Sequence, residues 1–231
     1  MILPPEARVA LYYAPTQDDK LFAAGAGWLG RDPATNAALP QPDVPDIAAI
    51  TADARRYGFH ATLKPPMQLK DGHAWEALAA RTAEIAAGIA PFELPPLAVA
   101  DLCGFLALRE TAPCPPLRAL ADAAVAGADE FRAPPDTREL ARRQRSGLSP
   151  QRKAMLLRWG YPDVFDTWVF HMTLTRRLTA AERSLYQPAA EAHFASALSY
   201  RRRVRDICLF VQPAPGAPFT IAARLELHGN V

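Results

Sequence analysis

The chain has 231 residues, half of them hydrophobic and 22% charged, proportions ordinary for a soluble globular protein with a substantial core. Its formal net charge of +2 excludes a general nucleic-acid coat, and its three cysteines, Cys103, Cys114 and Cys208, form no CxxC pair that would suggest a zinc ribbon or disulfide framework. No stretch reaches the ~18 uninterrupted apolar residues of a membrane span, and the opening Met1-Ile2-Leu3-Pro4-Pro5-Glu6 lacks the basic region and apolar run of a secretory signal, so reduced thiols in the cytoplasm are expected.

In chain order, residues 8–14 (RVALYYA) predict an opening strand, and residues 18–29 a short helix weakened by Gly25 and Gly27. Residues 31–46, with Pro33, Pro40, Pro42 and Pro45, read as an irregular surface loop. A strand is predicted over 57–63, stopped by Pro65 and Pro66, then a helix over 74–87 from the spacing of Trp75, Leu78, Thr82 and Ile85. Residues 92–100 and 105–109 read as two strands around Cys103-Gly104, with Pro95 and Pro96 marking an edge or bulge. An alanine-rich helix over 117–131 and another over about 137–145 precede a third that Ser149 caps, Pro150 opens and Gly160 and Pro162 close. A long strand over 164–175 follows. Thr179-Ala180-Ala181-Glu182 is a capping box opening a helix to about residue 198, and residues 206–211 and 219–227 read as a hairpin. Short loops and period-2 patterns predict an α+β fold: one bilobal domain over residues 1–231, with two mainly antiparallel sheets of three to four strands flanked by helices around a central cleft.

Two segments share one pattern. Phe59-His60-Ala61-Thr62-Leu63 and Phe170-His171-Met172-Thr173-Leu174 each read aromatic, His, apolar, Thr, Leu. Residues two apart in a strand share a face, so each segment offers an imidazole and a hydroxyl side by side, backed by apolar neighbours. Two such pairs facing each other supply a base, an acid and hydroxyl donors, as cleavage of a phosphodiester requires.

On these motifs the chain resembles the two-histidine (2H) phosphoesterase superfamily, which includes cyclic phosphodiesterases and 2′-5′ RNA ligases. The strings RRYGFHATLKPP and RWGYPDVFDTWVFHMTLT resemble a branch associated with phosphonate-utilisation operons. The resemblance implies His60 and His171 as the acid–base pair and Thr62 and Thr173 as phosphate-binding hydroxyls, with no metal and no cofactor. It leaves open which histidine is acid and which is base. It also implies a phosphoric diester hydrolase, acting on a small, cyclic phosphodiester or nucleotide in phosphonate or phosphoribosyl metabolism. The alternative is an RNA-end-binding or 2′-5′ RNA ligase-like protein with little turnover. A metal-dependent hydrolase is a third reading, but no Asp, Glu, Cys or third His stands at ligand spacing near the motifs. A monomer acting away from membranes is expected.

Further candidates follow from parity. Lys64 shares the face of His60 and Thr62 and would lean towards bound phosphate; Tyr57 has the opposite parity, but Gly58 allows a bulge that would redirect it. Thr175 and Arg177 continue the face of the second motif. Arg55 and Arg56 would guide an anion or form a solvated pair. Arg138, Arg142 and Arg145 make a helical stripe, and Arg201, Arg202, Arg203 and Arg205 a second basic cluster, each a solvated face or a phosphate contact. His73, His193 and His228 read as packing or surface residues.

Overall fold

The computed structural model describes residues 1–135, 141 and 147–229. Strand β1 (Arg8–Tyr13) alternates as its sequence does: Val9, Leu11 and Tyr13 enter the main core, while Ala10 and Tyr12 join a small cluster on the opposite face. Helix α1 (Lys20–Leu29) starts where the Asp19 side chain accepts from Leu21 N and stops at Gly30, whose φ of 74° only glycine adopts readily. Two short helices follow the proline-rich loop: α2 (Ile47–Ile50) and α3 (Ala52–Tyr57).

Both motif strands start later than predicted. Helix α3 runs to Tyr57, and Gly58 at φ 79° turns the chain, so β2 spans Ala61–Met67 and His60 stands just before it. The strand then continues through Pro65 and Pro66. Against β1 the register passes from Tyr12↔Thr62 to Leu11↔Lys64 and then to Val9↔Met67. Two extra residues on β2 leave the ladder there, which is where prolines without an N–H are tolerated. The second strand, β6 (Met172–Arg177), is likewise preceded directly by His171. Upstream, residues Phe165–Thr167 form a 3₁₀ turn. Thr167 Oγ1 closes it, 2.7 Å from Val164 O and 2.8 Å from Pro162 O, while accepting from Val164 N at 3.1 Å.

The remaining elements are α4 (Trp75–Ala87), β3 (Phe92–Leu94), β4 (Leu97–Leu102), β5 (Phe105–Glu110), α5 (Pro115–Gly127), α6 (Pro150–Trp159), α7 (Ala180–Leu198), β7 (Arg202–Val204), β8 (Asp206–Gln212) and β9 (Thr220–Glu226). Pro95 and Pro96 divide the predicted strand 92–100 into β3 and β4. Apart from residue 141, the predicted helix over 137–145, with Arg138, Arg142 and Arg145, lies outside the described residues.

Among the described residues, seven strands form one antiparallel sheet in the order β4-β5-β6-β2-β1-β8-β9, and β3 pairs with β7 in a second. The architecture is α+β. Three strands end at β6 and four begin at β2, and the two portions meet through the register pair Ala61↔Met172. Two indoles reinforce this seam. Trp168 Nε1 donates to Thr62 O at 2.8 Å, and Trp28 Nε1 donates to Leu174 O at 3.0 Å. One face of the sheet, carrying Ala61, Leu63, Met172, Leu174, Leu106 and Leu108, is sealed in the main core with residues of α1, α4, α5 and α7. His60, Thr62, His171 and Thr173 alternate with those residues and so occupy the other face. Among the described residues no helix is long and apolar enough to cross a membrane.

Candidate active site

Each motif histidine is fixed by its own backbone. His60 Nδ1 lies 2.8 Å from Gly58 O, and His171 Nδ1 lies 2.8 Å from Val169 O. A carbonyl only accepts, so each Nδ1 carries the proton and donates it. In the neutral ring the lone pair is therefore on Nε2, on the side away from the anchor. His60 Nε2 accepts there from Thr62 Oγ1 at 3.2 Å.

A cavity of about 310 Å³ opens over this face, lined by Arg8, Tyr12, Tyr57, His60, Thr62, Pro65, Pro66, Tyr161 and Thr173. Gly160, at φ 73°, ends α6 and delivers Tyr161 to the rim. Tyr12 stacks flat on His60, with ring centroids 3.7 Å apart and planes 20° apart. His171 instead meets the edge of Phe105, at 5.9 Å and 60°.

The electrostatics follow from burial. Removal from water pushes the His60 pKa down to about 4, with the His171 and Arg31 charges adding to the fall and the Gly58 carbonyl bond opposing it. His60 is thus neutral near pH 7. The same burial pushes the Tyr12 phenol well above its ordinary value, with Tyr57 and Tyr161 adding to it, so Tyr12 stays a neutral donor. Arg31 is itself buried and ties the wall together, donating to Arg55 O at 2.8 Å, Arg56 O at 3.3 Å and Phe219 O at 2.9 Å.

The structure brings together His60, Thr62, Thr173 and Tyr57, the last from the end of α3 rather than from a strand. It places two predicted contacts elsewhere. The bulge at Leu63-Lys64 inverts the parity of Lys64, so its side chain faces the core beside Leu11 and is 1% exposed. Its Nζ donates to Val125 O at 3.0 Å and to Asp129 Oδ1 at 3.3 Å. Thr175 sits in a second register shift, between Phe105↔Arg177 and Ala107↔Thr173. Its buried Oγ1 accepts from Leu106 N at 3.0 Å and donates to Arg176 O at 2.8 Å, filling a gap in the ladder.

The remaining basic candidates have local duties. Arg55 donates to Leu29 O and Gln41 Oε1, both at 2.7 Å, and Arg56 pairs with Asp53 at 3.0 Å. Arg177 is exposed and donates to Cys103 O. The 201–205 cluster is dispersed: Arg202 is buried on Asp19 and Ala197 O, Arg203 holds Pro91 O, and Arg201 faces Glu93. His193 donates to Ala24 O beside Trp28, His73 meets the edge of Phe131, and His228 is exposed. Sequence reasoning missed Arg8, Tyr12 and Tyr161. The first two were within reach, because they share the β1 face opposite Val9, Leu11 and Tyr13. Among the described residues, no group of three or more His, Cys, Asp or Glu side chains stands together to hold a metal ion.

Residues 62–220, well over half of the chain, match the family described as "Protein of unknown function (DUF1045)". The chain belongs to this family. Two curated relatives of this DUF1045 chain are named "Ribose 1,5-bisphosphate phosphokinase PhnN". The one from Janthinobacterium sp. (strain Marseille) is 38% identical over 232 residues, covering 96% of this chain and 51% of the relative. The one from Laribacter hongkongensis (strain HLHK9) is 37% identical over 216 residues, covering 93% and 50%. The chain thus spans about half the length of the curated relatives it matches. Two solved structures are distantly similar. The crystal structure of E. coli LigT complexed with NADP+ has TM-score 0.44 and 15% identity, over 97% of this chain and 99% of that one. A crystal structure of a phosphoesterase has TM-score 0.43 and 14% identity over the same shares. Both likenesses are too remote to carry an activity across.

Proposed function

We propose that the cleft hydrolyses a small cyclic phosphodiester by two-histidine acid–base catalysis. The carrying observation is the twin anchoring of His60 and His171. Each Nδ1–H is held by a carbonyl two residues back, each ring stands just before a central strand, and a threonine hydroxyl two residues on shares its face. His60, kept neutral by burial, is the base and His171 the acid. As substrate binds, the Thr62 hydroxyl turns from His60 Nε2 to a phosphate oxygen, and Thr173 holds another. His60 Nε2 takes a proton from water as the water oxygen bonds to phosphorus. The opposite P–O bond breaks, and His171 Nε2–H protonates the departing oxygen. His60 then releases its proton and His171 regains one, so the net change is addition of water across one P–O bond. Each positioned acid or base contributes about 10²–10⁴-fold.

The names of the two relatives point to ribose. The name of these relatives, ribose 1,5-bisphosphate phosphokinase, supports a cyclic phosphate of ribose as the substrate class. A volume of about 310 Å³ sits at the small end of ligand sites, which suits a sugar phosphate better than an oligonucleotide. The test is ³¹P NMR of ribose 1,2-cyclic phosphate and adenosine 2′,3′-cyclic phosphate with EDTA present. Ring opening by wild type and none by the double His60→Ala/His171→Ala variant is expected. Turnover that vanishes with the chelator, or persists in the double variant, would falsify the reading.

A further inference from the structure

Arg8 is a cationic side chain of the cavity for which the chemistry above has no use. It lines the same wall as Tyr12 and His60. Its Nε donates to Gln212 Oε1 at 2.7 Å, and its guanidinium carbon lies 5.4 Å from the centre of the Phe219 ring. Phe219 is fully buried and is also stacked with Tyr57, with centroids 5.3 Å apart and planes 16° apart. Arg8 is therefore clamped by one hydrogen bond and one aromatic face, and both Nη groups are left over among the described residues. Among the described residues no carboxylate pairs with it, whereas most other half-buried arginines of the chain hold an acid or a backbone carbonyl. A half-buried, preorganised guanidinium with no carboxylate partner among the described residues suits a planar, multi-oxygen anion bound in two-pronged fashion.

Its position sets the scale. Arg8 precedes Tyr12 by four residues on β1, about 13 Å at ~3.3 Å per residue, and Tyr12 is the register partner of Thr62. Arg8 thus starts at the end of the cleft away from the reacting phosphate, and its guanidinium carbon sits 5.4 Å from the centre of the Phe219 ring, which lies 6.3 Å from the centre of the Tyr12 ring. Small Ala10 lies between Arg8 and Tyr12 on that face. The span suits one sugar ring between two phosphates.

We propose that Arg8, clamped by Gln212 and Phe219, is the subsite for a phosphate monoester carried by the substrate. The inference rests on the phosphoesterase reading and narrows it to cyclic phosphodiesters that bear a second phosphate one sugar ring away. Neutral aromatic walls alone would serve a nucleobase. The uncompensated cation favours a second phosphate instead.

Two measurements keep this inference and the parent reading apart. The first compares kcat/KM for ribose 1,2-cyclic phosphate with and without a 5-phosphate. Wild type should prefer the phosphorylated form by about 10–100-fold, the worth of a charge-assisted contact. Arg8→Gln, which can still bond Gln212, should lose most of that preference, and Arg8→Lys should keep part of it. Equal use of both substrates by wild type, or an equal loss on both in Arg8→Gln, overturns the subsite. The second measurement needs no turnover: calorimetric titration with ribose 5-phosphate, which has no diester to cleave. Binding by wild type that weakens at least tenfold in Arg8→Gln, with an unchanged melting curve, supports the subsite. Equal binding by both, or binding by neither, overturns it. Absence of turnover on either cyclic phosphate sinks the parent reading while the titration still decides the role of Arg8.

Discussion

The two motif segments are near copies in sequence and unlike in setting. His60 is stacked face-on by Tyr12 and depressed to a pKa of about 4, whereas His171 meets only the edge of Phe105. Both share the same Nδ1 anchor, so the difference is not in tautomer or aim. It comes from the neighbouring strand. Tyr12 stands beside the first motif on β1, while Ala107 is the register partner of Thr173 on β5. Under the proposed mechanism, one residue on the strand next door would specialise a repeated motif into base and acid, with the motif itself untouched.

The largest expected effects probe the pair directly. His60→Ala and His171→Ala should each lower kcat/KM by about 10²–10⁴-fold without unfolding, read by steady-state kinetics beside circular dichroism. Full activity in either variant would break the comparison outright. Next come the hydroxyls. Thr62→Val and Thr173→Val should each lose about 10–100-fold, since a hydroxyl on a charged oxygen is worth roughly 1.5–3 kcal/mol.

The pH profile sharpens the comparison. A base works when neutral, and His60 is neutral above its pKa. The acid limb of kcat/KM should therefore persist down to about 4 rather than fall near the ordinary histidine value of about 6.5. Tyr12→Leu removes the stacked cover and lets water in, so it should move that limb upward; an unmoved limb would mean the stack has no part in the specialisation. The smallest effect on catalysis is expected at Lys64. Lys64→Met should leave kcat/KM within about threefold. In denaturant unfolding it should cost less than the ~3–5 kcal/mol of stranding a buried charge, because Asp129 keeps Arg132 at 2.8 Å.

Much of the site was legible because period-2 alternation survives wherever the ladder is regular. Ala61 and Leu63 face the core, Thr62 faces the cleft, and Met172, Thr173 and Leu174 repeat the pattern. The α+β class and most of the helices followed from the same periodicities and from caps such as Ser149 and Thr179, whose hydroxyls accept from Arg152 N and Glu182 N. What failed is the extension of parity beyond regular strand. Lys64 and Thr175 lie at register shifts, one added residue at Lys64 and two around Thr175, and a bulge depends on the partner strand as much as on its own residues. The late starts of β2 and β6 have a similar origin. A positive-φ Gly58 and the turn closed by Thr167 are local irregularities that a period-2 reading passes over, and each motif histidine is anchored just after one, on Gly58 O and Val169 O. Alternation puts Arg8 and Tyr12 on one β1 face, but their place in the cleft also depends on β1 lying beside β2, a pairing that no local pattern declares.

At the seam between the halves, the single backbone pair is supplemented by an indole from outside both motifs. The two motif strands are therefore held together by aromatic crossbars, Trp168 on Thr62 O and Trp28 on Leu174 O, as much as by ladder rungs. That makes the spacing adjustable in evolution. Under the proposed mechanism, a change at one crossbar would alter the gap for a new leaving group while imidazoles, hydroxyls and their anchors stay as they are.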